Sequence, residues 1–271
     1  MLAQTINSMK LTILGSGTSV PHPARASAAH WLQTASGSLL LDISADAAHR
    51  MAQENLDWPN LDAIWVSHFH LDHLGGLPTF LFGTKWAPQT QSRTKPLRVY
   101  GPTGLQRIVN AITDSNDYRL LEQPFPIEIV EAPAGEFEIL PGVIADTFST
   151  PHTDESRALK LTDGASKAEA SRVEDSKSFV YTSDTGFSEN IVPFAKEVDL
   201  LLMECSFRRN KPVQKHLELA DAMQLAEKCN PRRVVLAHLY PEWDGVDLEA
   251  EARELWPGET IAAFDGLQLE F

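Results

Sequence analysis

Four residues able to bind a metal sit within one short segment, His68-Phe69-His70-Leu71-Asp72-His73. Imidazole nitrogens and a carboxylate at that density make a donor set for Zn2+, and also for Mn2+ or Fe. The segment follows the apolar run Ala63–Val66 and precedes Gly75-Gly76. Side chains alternate along extended chain, so His68 and His70 face the same way. Asp72 and His73, at the turn that follows, aim at a neighbouring point. The end of a buried strand is where a rigid scaffold presents ligands, and metal-activated hydrolysis is the chemistry such a cluster would serve.

The elements that must position this segment read as short apolar strands separated by turns, with a few amphipathic helices among them. Strands are expected at Leu11–Leu14, Ala63–Val66, 98–100, Ile127–Glu131, Phe137–Leu140, 143–148, 158–162, 179–183, Leu200–Glu204 and Arg233–Ala237. Ala29–Thr34 and 38–42 read as one hairpin, and 261–264 with 267–271 as another around Asp265-Gly266. Helices are expected at 45–53, 74–85, 104–112, 189–196 (despite Pro193), 216–229 and Leu248–Leu255. Ser166–Ser178 is polar and reads as an exposed loop. This order of elements predicts an α/β chain of one domain, for which sheet-on-sheet packing with helices outside is the natural layer solution.

The histidine and aspartate pattern resembles the signature of the metallo-β-lactamase superfamily, and the similarity extends over nearly the whole chain. Leu40-Leu41-Asp42 resembles the early strand whose aspartate supports the metal loop. Thr150-Pro151-His152 resembles the third ligand segment. Tyr181-Thr182-Ser183-Asp184-Thr185-Gly186 resembles the strand end whose aspartate bridges two metals, and Val235-Leu236-Ala237-His238-Leu239 the last ligand strand. The resemblance implies a metallo-β-lactamase αββα sandwich of mixed sheets. It implies one divalent ion held by His68, His70 and His152 and a second held by Asp72, His73 and His238, with Asp184 bridging. It implies that Asp42 orients a ligand histidine from behind.

Within the superfamily the chain is similar to the ribonuclease Z-like group, which cleaves phosphodiesters, and to a small phosphodiesterase of phosphonate breakdown. Leu14-Gly15-Ser16-Gly17-Thr18-Ser19-Val20-Pro21 resembles the group's opening strand and loop, and Glu204-Cys205-Ser206-Phe207 its late acidic strand end. His216, expected to open a helix, matches a histidine that serves catalysis there. The implied catalytic residues are therefore Asp72 and His216, and a homodimer is implied by the same similarity. The long glycine- and proline-rich arm of the transfer-RNA processing enzymes has no counterpart between His152 and Asp184.

Composition narrows the substrate. The net charge is −14, from 23 basic and 37 acidic residues, and a body this acidic repels a long polyanion. Arg208-Arg209-Asn210-Lys211 is the compact basic cluster, read equally well as a solvated loop. A small anionic, nucleotide-like phosphodiester is expected, since bound cations invert the field locally. Transfer-RNA 3′ processing and hydrolysis of a lactone, thioester or aryl sulfate are the alternatives, because a metal site of this kind also attacks carbonyls. His22, His30 and His49 fall outside the ligand pattern and read as surface or packing residues. The 271 residues read as one domain with a loose extension over 1–8. No apolar run approaches the ~18 residues of a membrane span. With no leader pattern at the start and Cys205 and Cys229 as the two thiols, a reducing cytoplasm is expected.

Overall fold

The computed structural model describes residues 8–163 and 176–271. Residues 1–7 of the expected extension over 1–8 and most of the expected loop Ser166–Ser178 lie outside them; Lys177 and Ser178 belong to a strand. Six strands build most of the first sheet: β1 (Lys10–Gly15), β2 (Ala29–Thr34), β3 (Gly37–Leu41), β4 (Ala63–Trp65), β5 (Leu97–Gly101) and β6 (Ile127–Glu131). The second holds β7 (Phe137–Leu140), β8 (Val143–Ser149), β9 (Arg157–Asp163), β10 (Lys177–Tyr181), β11 (Leu200–Glu204), β12 (Arg233–Ala237) and β13 (Glu259–Ala262). The last strand, β14 (Gln268–Glu270), returns to the first sheet beside β1, giving seven strands in each.

Three apolar clusters stack these elements into four layers. Between the sheets, Leu11, Ile13, Leu41 and Trp65 pack with Leu159, Phe179, Leu202 and Val235. Alternate residues of the same strands, Leu40, Ile64 and Val99, point outward and are covered by α1 (Ala47–Gln53), α3 (Leu77–Trp86) and α4 (Leu105–Thr113). On the far side, Val180, Leu201 and Val234 are covered by α5 (Leu219–Cys229) and α6 (Leu248–Leu255). In α5, Leu219, Ala222, Met223, Ala226 and Cys229 form one buried stripe at helical spacing. Each large side chain so buried contributes about 1.5–3 kcal/mol. The result is the αββα sandwich expected from the sequence.

Strand direction decides where ligands emerge. Strands β3 to β6 are mutually parallel, as are β10 to β13. Loops leaving the C-terminal ends of β3, β4, β8, β10, β11 and β12 therefore gather on one rim, where open α/β sheets present ligands.

Four local expectations are corrected. The C-terminal hairpin does not form: β13 pairs with β12 in one sheet and β14 with β1 in the other. Asp265 is held instead by Ser16 N, Ser16 Oγ and Ala26 N. The helix expected at 74–85 is split at Gly75-Gly76 into α2 (Leu71–Leu74) and α3. Around Pro193 only a single 3-10 turn, Glu189–Ile191, forms, because proline removes an amide donor. Finally, α5 begins at Leu219, so His216 lies in the loop before it.

Candidate metal centre

The structure brings together all seven expected ligands, with His216 beside them. Their ligand atoms form overlapping groups within 4.8 Å: His68, His70, His152 and Asp184; Asp72, His73 and His238; Asp184, His216 and His238. Asp184 stands between the first two. Its Oδ2 lies 3.9 Å from His68 Nε2 and 3.7 Å from His152 Nε2, while Oδ1 lies 3.3 Å from both His73 Nε2 and His238 Nε2. Asp72 Oδ2 is 3.5 Å from His238 Nε2 and 3.8 Å from His73 Nε2. His70 presents Nδ1, 3.1 Å from His152 Nε2.

Hydrogen bonds behind the cluster set the imidazole tautomers. A carboxylate or carbonyl only accepts, so His73 Nδ1–H donates to Asp42 Oδ2 at 2.7 Å and His152 Nδ1–H to Lys215 O at 2.9 Å. Ser67 Oγ donates to Asp42 Oδ2 and so accepts from His68 Nδ1–H at 3.0 Å. In the same way Ser206 Oγ donates to Glu204 Oε2 and accepts from His238 Nδ1–H at 3.0 Å. In all four rings the Nε2 lone pair is left facing the cluster. Asp42 also accepts from Tyr181 and from Ser67 N, so one buried carboxylate organises two ligand histidines.

Electrostatics agree with that assignment for His68 and His152, whereas His73 holds a second proton while no cation is bound. Burial first, then the charge of His73, holds His68 down at about 2, so its imidazole is neutral. Burial also lowers His152. Burial opposes charge on His73 and Asp184, yet their attraction for each other and for Asp42 and His238 wins: His73 is raised and Asp184 lowered. A cation seated between them would compete for the same lone pairs and displace the His73 proton.

The donor set fits metal ions. His68 Nε2, His73 Nε2, His238 Nε2 and Asp184 Oδ1 are buried and lack any hydrogen-bond partner. An unpaired buried polar atom costs about 1–3 kcal/mol, and four of them converge here. The backbone carries strain at the same rim. Asp42, Ser183 and His238 hold φ values of 57°, 51° and 57°, a left-handed conformation that costs roughly 1–3 kcal/mol without glycine and gathers at functional sites.

Glu204 completes the arrangement, and its organising role was not among the sequence expectations. It is 2% exposed and accepts from Thr185 N, Leu217 N, Ser206 Oγ and His216 Nδ1. His216 Nδ1 is 3.9 Å from Asp184 Oδ2, and its ring stacks 5.4 Å from that of His238. The basic cluster is tied up elsewhere: Arg208 and Arg209 pair with Glu251, and Lys211 with Asp221. His30 is buried and His22 pairs with Asp244.

Known proteins share this architecture. A Ribonuclease Z of Prochlorococcus marinus (strain MIT 9301) is 25% identical over 94% of this chain and 97% of its own length. The probable metallo-hydrolase YhfI of Bacillus subtilis (strain 168) is 25% identical over 97% of this chain and all of its own length. The YhfI crystal structure, titled a metallo-β-lactamase fold protein, superposes with a TM-score of 0.78, at 22% identity, over 98% of this chain and 100% of YhfI. Human tRNase Z, short form, superposes at 0.73, with 19% identity, over 96% and 98% of the two chains. The fold is thus that of the metallo-β-lactamases. A family model described as Anti-Pycsar protein Apyc1 matches residues 9–256, nearly the full length, and the chain belongs to that family.

Proposed function

We propose that this protein is a dinuclear-metal phosphodiesterase acting on a small, nucleotide-like phosphodiester, built as one domain. The observation that carries the reading is His216, held by Glu204 at 3.0 Å on the edge of a double ligand pocket bridged by Asp184. A carbonyl hydrolase has no need of a second acid there, whereas a phosphodiester must expel a poor alkoxide.

Asp184, His68, His70 and His152 would hold one divalent ion, and Asp184, Asp72, His73 and His238 the other, with zinc the ion proposed. Bound there, the ions would supply Lewis acidity and an acidified water. Asp42, Ser67, Ser206 and Glu204 keep the ligand imidazoles in the tautomer that binding needs. Asp72, beside His238, is lowered: burial opposes its charge, but the nearby imidazoles of His238 and His73 outweigh burial. It stays an anion able to accept a proton bond from the nucleophile. The His216 Nδ1–H bond to Glu204 leaves Nε2 to protonate the leaving oxygen. Glu204 and Asp184 raise His216 against burial, which keeps that proton available near neutral pH.

A small substrate is supported by the charge of −14 and by the ion pairing of Arg208 and Lys211. No helix among the described residues is long and apolar enough to cross a membrane, and a cytoplasmic location is proposed. A homodimer belongs to the same proposal. The surface that supports it is the outer face of α3, where Phe82 and Trp86 are 50% and 67% exposed.

The test is turnover of bis(p-nitrophenyl) phosphate, 3′,5′-cyclic nucleotides and a transfer-RNA precursor by metal-loaded protein, beside an aryl ester, a lactone and an aryl sulfate. Diester turnover with about two metals per chain supports the proposal. Turnover of the ester, lactone or sulfate alone discards the diester assignment. His216→Ala should lower kcat by about 10²–10⁴ while metal content holds. Loss of activity and metal together would sink the role given to His216.

A further inference from the structure

His30 stands on the inward face of β2, in line with Leu32 of the core between the sheets. Its ring meets Tyr181 of the opposite sheet edge to face, with centroids 5.3 Å apart. His30 is 1% exposed, and its Nδ1 is buried with no hydrogen-bond partner among the described residues. Burial, with the charges of His73 and His238, keeps the ring neutral. In a neutral imidazole Nδ1 either donates or accepts, so the folded chain leaves a polar group unanswered whichever tautomer forms.

His30 lines a cavity of about 10 Å3, room for a single water. Tyr181, Ser183, Asp184 and His238 share its wall, and each is at most 6% exposed. The cavity thus lies inside the fold, against the metal centre. The hydroxyls of Tyr181 and Ser183 spend their protons on Asp42 and on Ser67 Oγ, both at 2.7 Å. Each of those oxygens keeps only accepting capacity. Asp184 also accepts, and its Oδ1 is buried without a hydrogen bond. The wall is therefore rich in acceptors and short of protons. A water supplies two protons and exchanges a bond with His30 in either tautomer, whereas an anion would meet mostly acceptors. The Asp184 carboxylate has a further need. Among the described residues its polar contacts are all with histidines of the cluster. Once those imidazoles turn to metal, no protein donor fixes its rotation, and ligating carboxylates are ordinarily hydrogen-bonded from behind. A carboxylate offers about four lone-pair sites, so a water on one leaves the others to metal.

We propose that this cavity holds one ordered water and that His30, acting through it, positions the Asp184 carboxylate between the two ligand pockets. His30 touches neither metal nor substrate; it is a positioning residue. The inference concerns how the metal centre is built and is independent of the phosphodiesterase reading.

The test has two arms, and neither depends on turnover. A crystal structure of the zinc-loaded protein, at a resolution that shows ordered solvent, should place one water within about 3.2 Å of both His30 and Asp184. A dry cavity, or a water bonded to only one of the two, overturns the proposal. This arm uses the wild type alone, so it stands even if a variant fails to fold. In the second arm, His30→Phe keeps a ring against Tyr181 and removes both nitrogens, while His30→Gln keeps a donor and an acceptor. Zinc retention against a chelator should weaken about tenfold in His30→Phe and recover in His30→Gln. Wild-type retention in His30→Phe overturns the positioning role. Equal weakening in both variants assigns the effect to packing and overturns it too.

Discussion

Glu204 accepts four hydrogen bonds with two oxygens, and no neutral side chain of its shape can do that. In Glu204→Gln one oxygen becomes an NH2 group that must face a donor. His216 would lose its fixed tautomer, while the ligands of the first pocket, His68, His70 and His152, keep theirs. The expected outcome is a fall in kcat of about 100-fold, within the range of acid–base catalysis, with the ion of the first pocket retained and the one beside His238 held more weakly. Unaltered kcat in Glu204→Gln would separate Glu204 from the chemistry. A different residue reports through stability. His30 is buried, with an unpartnered Nδ1, and burial first, then the charges of His73 and His238, push it down to about 3. An unfolded chain takes up this proton near pH 6.5, whereas the folded chain refuses it until about pH 3. The contribution of His30 is thus fully present above pH 6.5 and is lost as pH falls towards the folded value. Between pH 6 and pH 4, wild type should lose up to about 1.4 kcal/mol per pH unit more than His30→Leu. Urea unfolding at several pH values measures the two slopes, and parallel curves would remove His30 as their source.

At the scale of elements, the metal loop is locked to the segment that follows β3 by a backbone contact too close for any side chain. Gly76 N donates to Ile43 O, Ile43 N to His73 O, and a Cβ at Gly76 would lie 1.9 Å from Ser44 O. Gly76→Ala should push α2, and with it Asp72 and His73, away from Asp42. A stability loss of about 1–3 kcal/mol is expected, together with at least about tenfold weaker metal retention against a chelator. Wild-type retention would show that α2 adapts without disturbing its ligands. Gly75-Gly76 was visible in the sequence as the end of a metal segment. The split of the following helix was not, because Leu74, Leu77, Phe80 and Leu81 keep helical spacing across the break. Four of the seven candidate ligand positions, His68, His70, Asp72 and His73, were readable for a similar local reason, crowded into one segment just past an apolar strand; His152, Asp184 and His238 entered only through the family resemblance. Glu204 gave no such sign, since three of its four donors come from residues 185, 216 and 217, brought near only by folding. The C-terminal strands were misread because a two-residue Asp265-Gly266 junction looks the same whether the chain turns back or crosses to another sheet. Gly266 does take φ +94°, but Asp265 spends its carboxylate on Ser16 and Ala26, and that choice is tertiary.

For the whole molecule, charge and the apolar face of α3 act against each other. Phe82 and Trp86 stand four residues apart on one side of the helix, and Tyr118 sits edge-on to Phe82 at 6.4 Å. Together these three rings expose a few hundred Å2 of apolar surface, the scale at which an exposed patch on a monomer marks an interaction site. A stable pair of chains needs about 800 Å2 from each, so the rings would form the centre of such an interface and polar neighbours its rim. Each copy carries −14, and like charges repel over a screening length of about 30 Å at 0.01 M salt but about 8 Å at 0.15 M. If apolar contact joins the copies, added salt weakens the repulsion and leaves the contact intact, so the dimer fraction should rise with ionic strength. Ion pairs across the interface would give the opposite trend. Sedimentation velocity of wild type and of the Phe82→Glu/Trp86→Glu double variant, at both salt concentrations, separates these cases. A salt-strengthened dimer that the double variant abolishes supports the α3 face. A dimer untouched by the double variant places the interface elsewhere, and a monomer at every concentration leaves the exposed rings without a second copy to cover them.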